Sequence, residues 1–172
     1  MQVLSFWQNP TASCHYCQYR DLSKAGKSYS SDQNGDMTMK IQTDLLTAIE
    51  TYFDAIHHCD TEKLSSVFHP QSSLFDADDG TVFVEAIESF RRDVGGRVSP
   101  ASTGQAREAE VLMIDFLSPI SATVKIRIRA HQSVFVDHLG FVLGADGWQI
   151  VSKIWHLEST VDADAHTKNV VA

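Results

Sequence analysis

Residues 135–156, "FVDHLGFVLGADGWQIVSKIWH", read as two strands joined by a tight turn. Phe135, Leu139, Phe141 and Leu143 fall on one face if the chain alternates, and "ADG" at 145–147 suits a hairpin connection. Val134, Val136 and Val142 make the opposite face apolar as well, around His138. One face can pack on helices. The other then needs a cover, most simply a second copy of the chain, so a homodimer through the sheet is expected. Asp137 is the anomaly, a carboxyl group in the middle of the face that packs inward.

The strand pattern continues upstream. Ala122, Val124, Ile126, Ile128 and Ala130 alternate with Thr123, Lys125, Arg127 and Arg129, and Leu112, Ile114 and Phe116 repeat the period of two. Between residues 41 and 94 the period is mainly helical. Ile41, Leu45, Ile49, Tyr52, Phe53 and Ile56 form one stripe. Asp60 suits an N-cap, with Glu62 in the first turn and Leu64, Val67 and Phe68 in a short second helix that Pro70 stops. "SSLFDA" predicts a short strand ending at Asp76, and "DDG" a turn. Phe83, Ala86, Ile87, Phe90 and Val94 predict a third helix, ended by Gly95 and Gly96. Helices followed by a run of strands make an α+β domain, with three N-terminal helices on a mostly antiparallel sheet.

The domain expected from these patterns spans residues 37–158. Residues 1–36 lack any period and read as a disordered leader, and 159–172 as a polar tail. In the leader, Cys14 and Cys17 form a C-x-x-C around His15, read as a chance pair because no second ligand pair follows. Three cysteines do not make a disulfide framework. With no secretory signal or apolar span in the sequence, a cytoplasmic location is the default expectation. A net charge of −8 without a basic cluster argues against nucleic acid and against anionic membrane surfaces. No histidine pair has metal spacing, so no metal is expected, and with no Gly-rich phosphate loop in the sequence no cofactor is expected. His57 and His58 suit a helix C-terminus, His69 a structural place before Pro70, and His138 the outer sheet face.

"IETYFDAIHHCDTEKLSSVFHPQSSLFDADDG" together with the hairpin resembles the nuclear transport factor 2-like superfamily over about residues 40–157. "GGRVSP" and the closing "W-x-I-V-x-K-x-W" resemble its lumazine-binding branch in particular. The resemblance implies a cone-shaped, cystatin-like fold, a curved sheet wrapped around a long helix. It also implies a pocket for a small apolar molecule at the open end. Phe53, Ile56, Phe68, Phe83, Phe90, Phe116, Leu139, Phe141, Trp155 and His156 are the residues expected to line it. The superfamily includes ketosteroid isomerases, whose Tyr and two Asp positions fall on Tyr52, Asp76 and Asp137. Carried over, Tyr52 and a neutral Asp137 would donate hydrogen bonds to a ligand carbonyl, and an ionised Asp76 would move a proton beside it. That division of labour between two carboxyl groups is the one known from the steroid isomerases, taken over here by analogy. Alternative readings stand beside it. Tyr52 packs in the core, Asp76 shapes a turn, Asp137 pairs with Arg127 or Arg129, and the domain is a non-catalytic dimeric scaffold.

Overall fold

The computed structural model describes residues 31–161. The chain divides between Asp36 and Met37, and the whole sheet belongs to the part that follows. The expectations for residues 1–30, including the Cys14/Cys17 pair, and for residues 162–172 lie outside the described residues.

Helix α1 (Ser31–His58) carries the predicted stripe. Leu45, Ile49, Tyr52 and Phe53 are buried, at spacings of four, three and one that keep them on one side of a 3.6-residue turn. The helix stops because Cys59 takes a left-handed conformation (φ 54°), and the Asp60 amide then bonds back to the Ala55 carbonyl at 2.9 Å. Asp60 caps the next helix, α2 (Thr61–Val67), accepting the Glu62 and Lys63 amides at 3.0 Å each. Strand β1 (Phe68–Asp76) begins directly after it, so Pro70 lies in a strand, and Phe68 is the C-cap of α2 and the first residue of β1, not a residue of the helix. A third helix, α3 (Ile87–Gly95), buries Ile87, Phe90 and Val94.

One predicted boundary is corrected. Phe83–Ala86 is not the start of α3 but a strand, β2, paired antiparallel with β1. The run Val82-Phe83-Val84 favours extended backbone, and Gly80 at φ 85° lets the intervening loop turn back. Glu85 is thereby set opposite Leu74.

Strands β3 (Ala109–Ser118), β4 (Ser121–Ala130), β5 (Ser133–Gly144) and β6 (Gly147–Thr160) follow as an antiparallel meander. Strand β6 runs three positions past the expected end at 157, with Ser159 opposite Val134 and Thr160 opposite Ser133. The sheet order is β2-β1-β6-β5-β4-β3, and only β1 and β6 run parallel. The result is a curved, open, mostly antiparallel six-stranded sheet with three α-helices packed on it.

Inward residues of β4 and β5 join the helical stripe in one core. Val124, Ile126, Leu139 and Phe141 meet Leu45, Ile49, Phe53 and Phe68, all buried. Burying each large apolar side chain of this kind contributes about 1.5–3 kcal/mol. Trp148 ties the last hairpin to α1 by donating its indole N–H to the Ile41 carbonyl at 3.2 Å.

A bulge in β6 decides which residues face this core. Ile150 pairs with Phe141 and Ser152 with Gly140, which leaves Val151 without an opposite residue. The extra residue changes the parity of the strand. Trp148 and Ile150 face inward before it, and Lys153 and Trp155 after it, while Ile154 is 58% exposed on the outer face. Gly140 accommodates the bulge, since a Cβ there would lie 2.5 Å from the Ser152 Oγ.

Candidate functional site

Asp137 stands on β5 between the inward Phe135 and Leu139, and its side chain is fully buried. Three side chains meet there. The Tyr52 hydroxyl of α1 donates to Asp137 Oδ2 at 2.9 Å. Lys153 of β6 donates to the same Oδ2 at 2.7 Å and to the Tyr52 oxygen at 2.8 Å. Asp137 Oδ1 is buried with no hydrogen-bond partner in the protein. Arg127 and Arg129 take no part. Arg127 pairs with Glu110 and Glu158, and Arg129 with Glu108.

The carboxyl group on the apolar face therefore has a physical explanation. Placed alone it would be strongly destabilising. Lys153 supplies the opposite charge on the neighbouring strand, and a phenol closes the triangle. Burial, then the nearby Asp137 charge and its hydrogen bond, push the Tyr52 hydroxyl well above its ordinary range, so it stays a neutral phenol. Its single proton goes to Asp137. Lys153 has three N–H bonds and uses two of them in this triangle.

A cavity of about 130 Å³ adjoins the triangle. Phe90, Phe135, Trp155, Ile56, Leu74 and Ile128 give it apolar walls, with Ala130 beside them. Its polar lining residues are Tyr52, Lys153, Glu85 and Arg97. The Lys153 ammonium lies 5.4 Å from the Phe90 ring centre and 5.5 Å from that of Tyr52. The Arg97 guanidinium lies over the same Phe90 ring, 5.9 Å from its centre.

Of the residues expected to act together, Tyr52 and Asp137 are brought into contact and Asp76 is not. The Asp76 carboxyl accepts the Asp78 amide at 2.8 Å in an Asx turn and does not line the cavity. Of the expected lining residues, Ile56, Phe90 and Trp155 face the cavity. Phe53, Phe68, Leu139 and Phe141 are buried elsewhere in the core. Phe83 is 46% exposed on the edge strand β2, and Phe116 packs its ring edge against Trp148 at 6.3 Å. His156 lies on the outer side, where its Nδ1 meets Asp78 Oδ1 at 2.5 Å. The other oxygen of Asp78 accepts the Leu157 amide at 2.7 Å, and the His156 contact holds the Asp78 carboxyl below its usual range.

Two residues of the cavity lining, Lys153 and Glu85, are not apparent from the sequence pattern. Strict alternation from Trp148 and Ile150 puts Lys153 outside, and a helix from Phe83 leaves Glu85 without a partner strand. The available signal is Val151, which makes "IVSKIW" apolar at positions that no single period of two can share.

With this geometry in place, comparison with known proteins decides the family. The profile of the family described as "Putative lumazine-binding" matches residues 41–156. The chain belongs to this family. Comparison with curated proteins gives no significant match. Similar solved structures place this lumazine-binding-type chain in the nuclear transport factor 2-like fold. A nuclear transport factor 2-like protein of unknown function from Silicibacter pomeroyi DSS-3 is similar at 18% identity and TM-score 0.62, covering 70% of this chain and 98% of that one. Another from Shewanella baltica OS155 is similar at 17% identity and TM-score 0.58, covering 77% and 100%. A domain with a cystatin-like fold from Nostoc punctiforme PCC 73102 is similar at 16% identity and TM-score 0.55, covering 69% and 78%. Among the described residues of this family member, no helix is long and apolar enough to cross a membrane, and no three metal-ligating side chains cluster.

Proposed function

We propose that the domain binds a small, mostly apolar molecule that presents one acceptor oxygen to Lys153. The observation that carries this reading is a lysine ammonium held by Asp137 and Tyr52 in the lining of an aromatic-walled cavity, with one N–H bond beyond those the triangle uses. Apolar walls with a few placed polar groups are the common form of a small-molecule site. The family description, with its reference to lumazine binding, agrees with a planar ligand.

Binding is favoured over isomerase-type proton transfer. That chemistry asks Asp137 and Tyr52 to donate to a ligand carbonyl, and here Tyr52 donates to Asp137. It also asks for Asp76 as a base, and Asp76 caps its own loop.

Benzamide, a flat ring with one carbonyl, serves as the probe. Titration followed by tryptophan fluorescence is expected to saturate with the wild-type chain. Ala130→Trp fills the cavity from its wall and is expected to weaken binding by about 10-fold or more, on the scale of one lost apolar contact set. Equal affinity in the variant would place the probe elsewhere.

A second reading concerns the opposite sheet face, which we propose as a homodimer interface. Ile154, Val142 and Val151 are 58%, 39% and 38% exposed there, with the half-buried Val136 beside them. Val136→Asp is expected to reduce the particle size seen by light scattering from two chains to one. An unchanged size, or a wild-type chain that is already monomeric, would remove the interface.

A further inference from the structure

We propose that Lys153 is a Schiff-base-forming amine, and that the cavity takes an aldehyde or ketone carried on a small planar apolar molecule. The inference rests on the binding reading above and names the ligand class of the same site.

Three features of the site carry it. The Lys153 amine is one of the cavity's polar groups, and its residue is only 7% exposed. Asp137 Oδ2, 2.7 Å away, is placed to receive a proton from it, and the Tyr52 oxygen at 2.8 Å is placed to pass one. The rings of Phe90 and Tyr52 stand beside the amine, their centres 5.4 and 5.5 Å from it, and give a planar apolar molecule aromatic surface next to the nitrogen.

The step balances within these groups. The Lys153 ammonium passes one proton to Asp137. The freed nitrogen lone pair attacks the carbonyl carbon, and the carbonyl π electrons move to its oxygen. A proton moves from nitrogen to that oxygen, by way of the Tyr52 hydroxyl, to give a neutral carbinolamine. The proton on Asp137 then returns through the Tyr52 hydroxyl, its hydrogen-bond partner that lines the cavity, to the carbinolamine hydroxyl, which leaves as water while the nitrogen lone pair forms the C=N bond. One ammonium and one carbonyl become one iminium and one water. The iminium keeps the positive charge of the lysine, and Asp137 returns to the carboxylate that pairs with it. The buried charge balance is the same before and after, so the step needs no second counter-ion in a site that would strongly disfavour an unpaired charge.

The experiment treats the full chain with benzaldehyde and sodium cyanoborohydride, digests it, and compares benzylation of each lysine within the same sample. Lys40 and Lys63 are the internal references, their side chains 73% and 44% exposed. Lys153 is expected to be modified about 10-fold faster than either, or more, because the bound carbonyl is held at the amine. Asp137→Asn is expected to lower the Lys153 rate by about 100-fold, the size of a lost acid–base partner, while the reference lysines are unchanged. Modification of Lys153 at or below the reference rate overturns the proposal, and this comparison within the wild-type chain does not depend on a variant folding. Benzamide binding is measured on the same preparation. Benzamide bound at the cavity without selective benzylation leaves the binding reading standing and removes the Schiff base. Neither binding nor benzylation removes both.

Discussion

Lys153→Met is expected to lower stability by about 3–5 kcal/mol, the usual effect of removing one partner from a buried ion pair. The cost lies in what remains. Asp137 is fully buried, its Oδ1 already lacks a partner, and without the ammonium only the Tyr52 hydroxyl addresses its charge. Methionine fills much the same volume, so the loss reports charge and not a cavity. The double variant Lys153→Met with Asp137→Leu removes both charges and is expected to recover most of the loss. Urea unfolding of the wild type, the single and the double variant measures all three. A single variant within about 1 kcal/mol of wild type would mean that Asp137 and Lys153 are not an essential pair.

The second large effect is an alkaline one, through Tyr52. Burial, the Asp137 charge and the Asp137 hydrogen bond all raise the Tyr52 pKa above the 10.0 of a free tyrosine. Above pH 10 the unfolded chain therefore releases a proton that the native chain keeps. The native state binds more protons there, so stability falls as pH rises. The contribution is fully present below about pH 10, and it decreases by about 1.4 kcal/mol for each pH unit above that. Tyr52→Phe removes this titration. At about pH 8 the variant is expected to be about 0.5–1.5 kcal/mol less stable, for the lost hydrogen bond. By about pH 11 the gap to wild type is expected to have closed or reversed. Unfolding curves at about pH 8, 10 and 11 that stay parallel would show that Tyr52 is not a buried neutral phenol.

Most of the fold could be read from periodicity, and the reasons are local. The stripe from Ile41 to Ile56 has the helical period and forms the inner face of α1. Residues 121–130 alternate without interruption, and the pairing of β4 with β5 runs without a slip from Ser121 opposite Val142 to Ala130 opposite Ser133. Asp60 caps α2 as its residue type suggests. What escaped was set by pairing partners, which a single stretch does not contain. Phe83–Ala86 has an apolar spacing that suits a helix, but the free edge of β1 recruits it as a strand. Part of the triangle was visible, because Tyr52 and Asp137 are odd residues on apolar faces. Lys153 was not, because a lysine that alternates outward looks ordinary until the bulge at Val151 turns it inward. The same bulge explains why Asp137 pairs with a lysine on β6 and not with the arginines of β4, which stand on the opposite face and meet Glu110, Glu158 and Glu108.

The central claim is that Lys153 offers its remaining N–H bond to a molecule in the cavity. Selectively ¹⁵N-labelled lysine permits the benzamide titration to be followed at each Nζ by nuclear magnetic resonance. The Lys153 resonance is expected to move and saturate with the binding curve, while those of Lys40, Lys63 and Lys125 stay in place. Saturable benzamide binding with the Lys153 resonance unmoved would contradict the account.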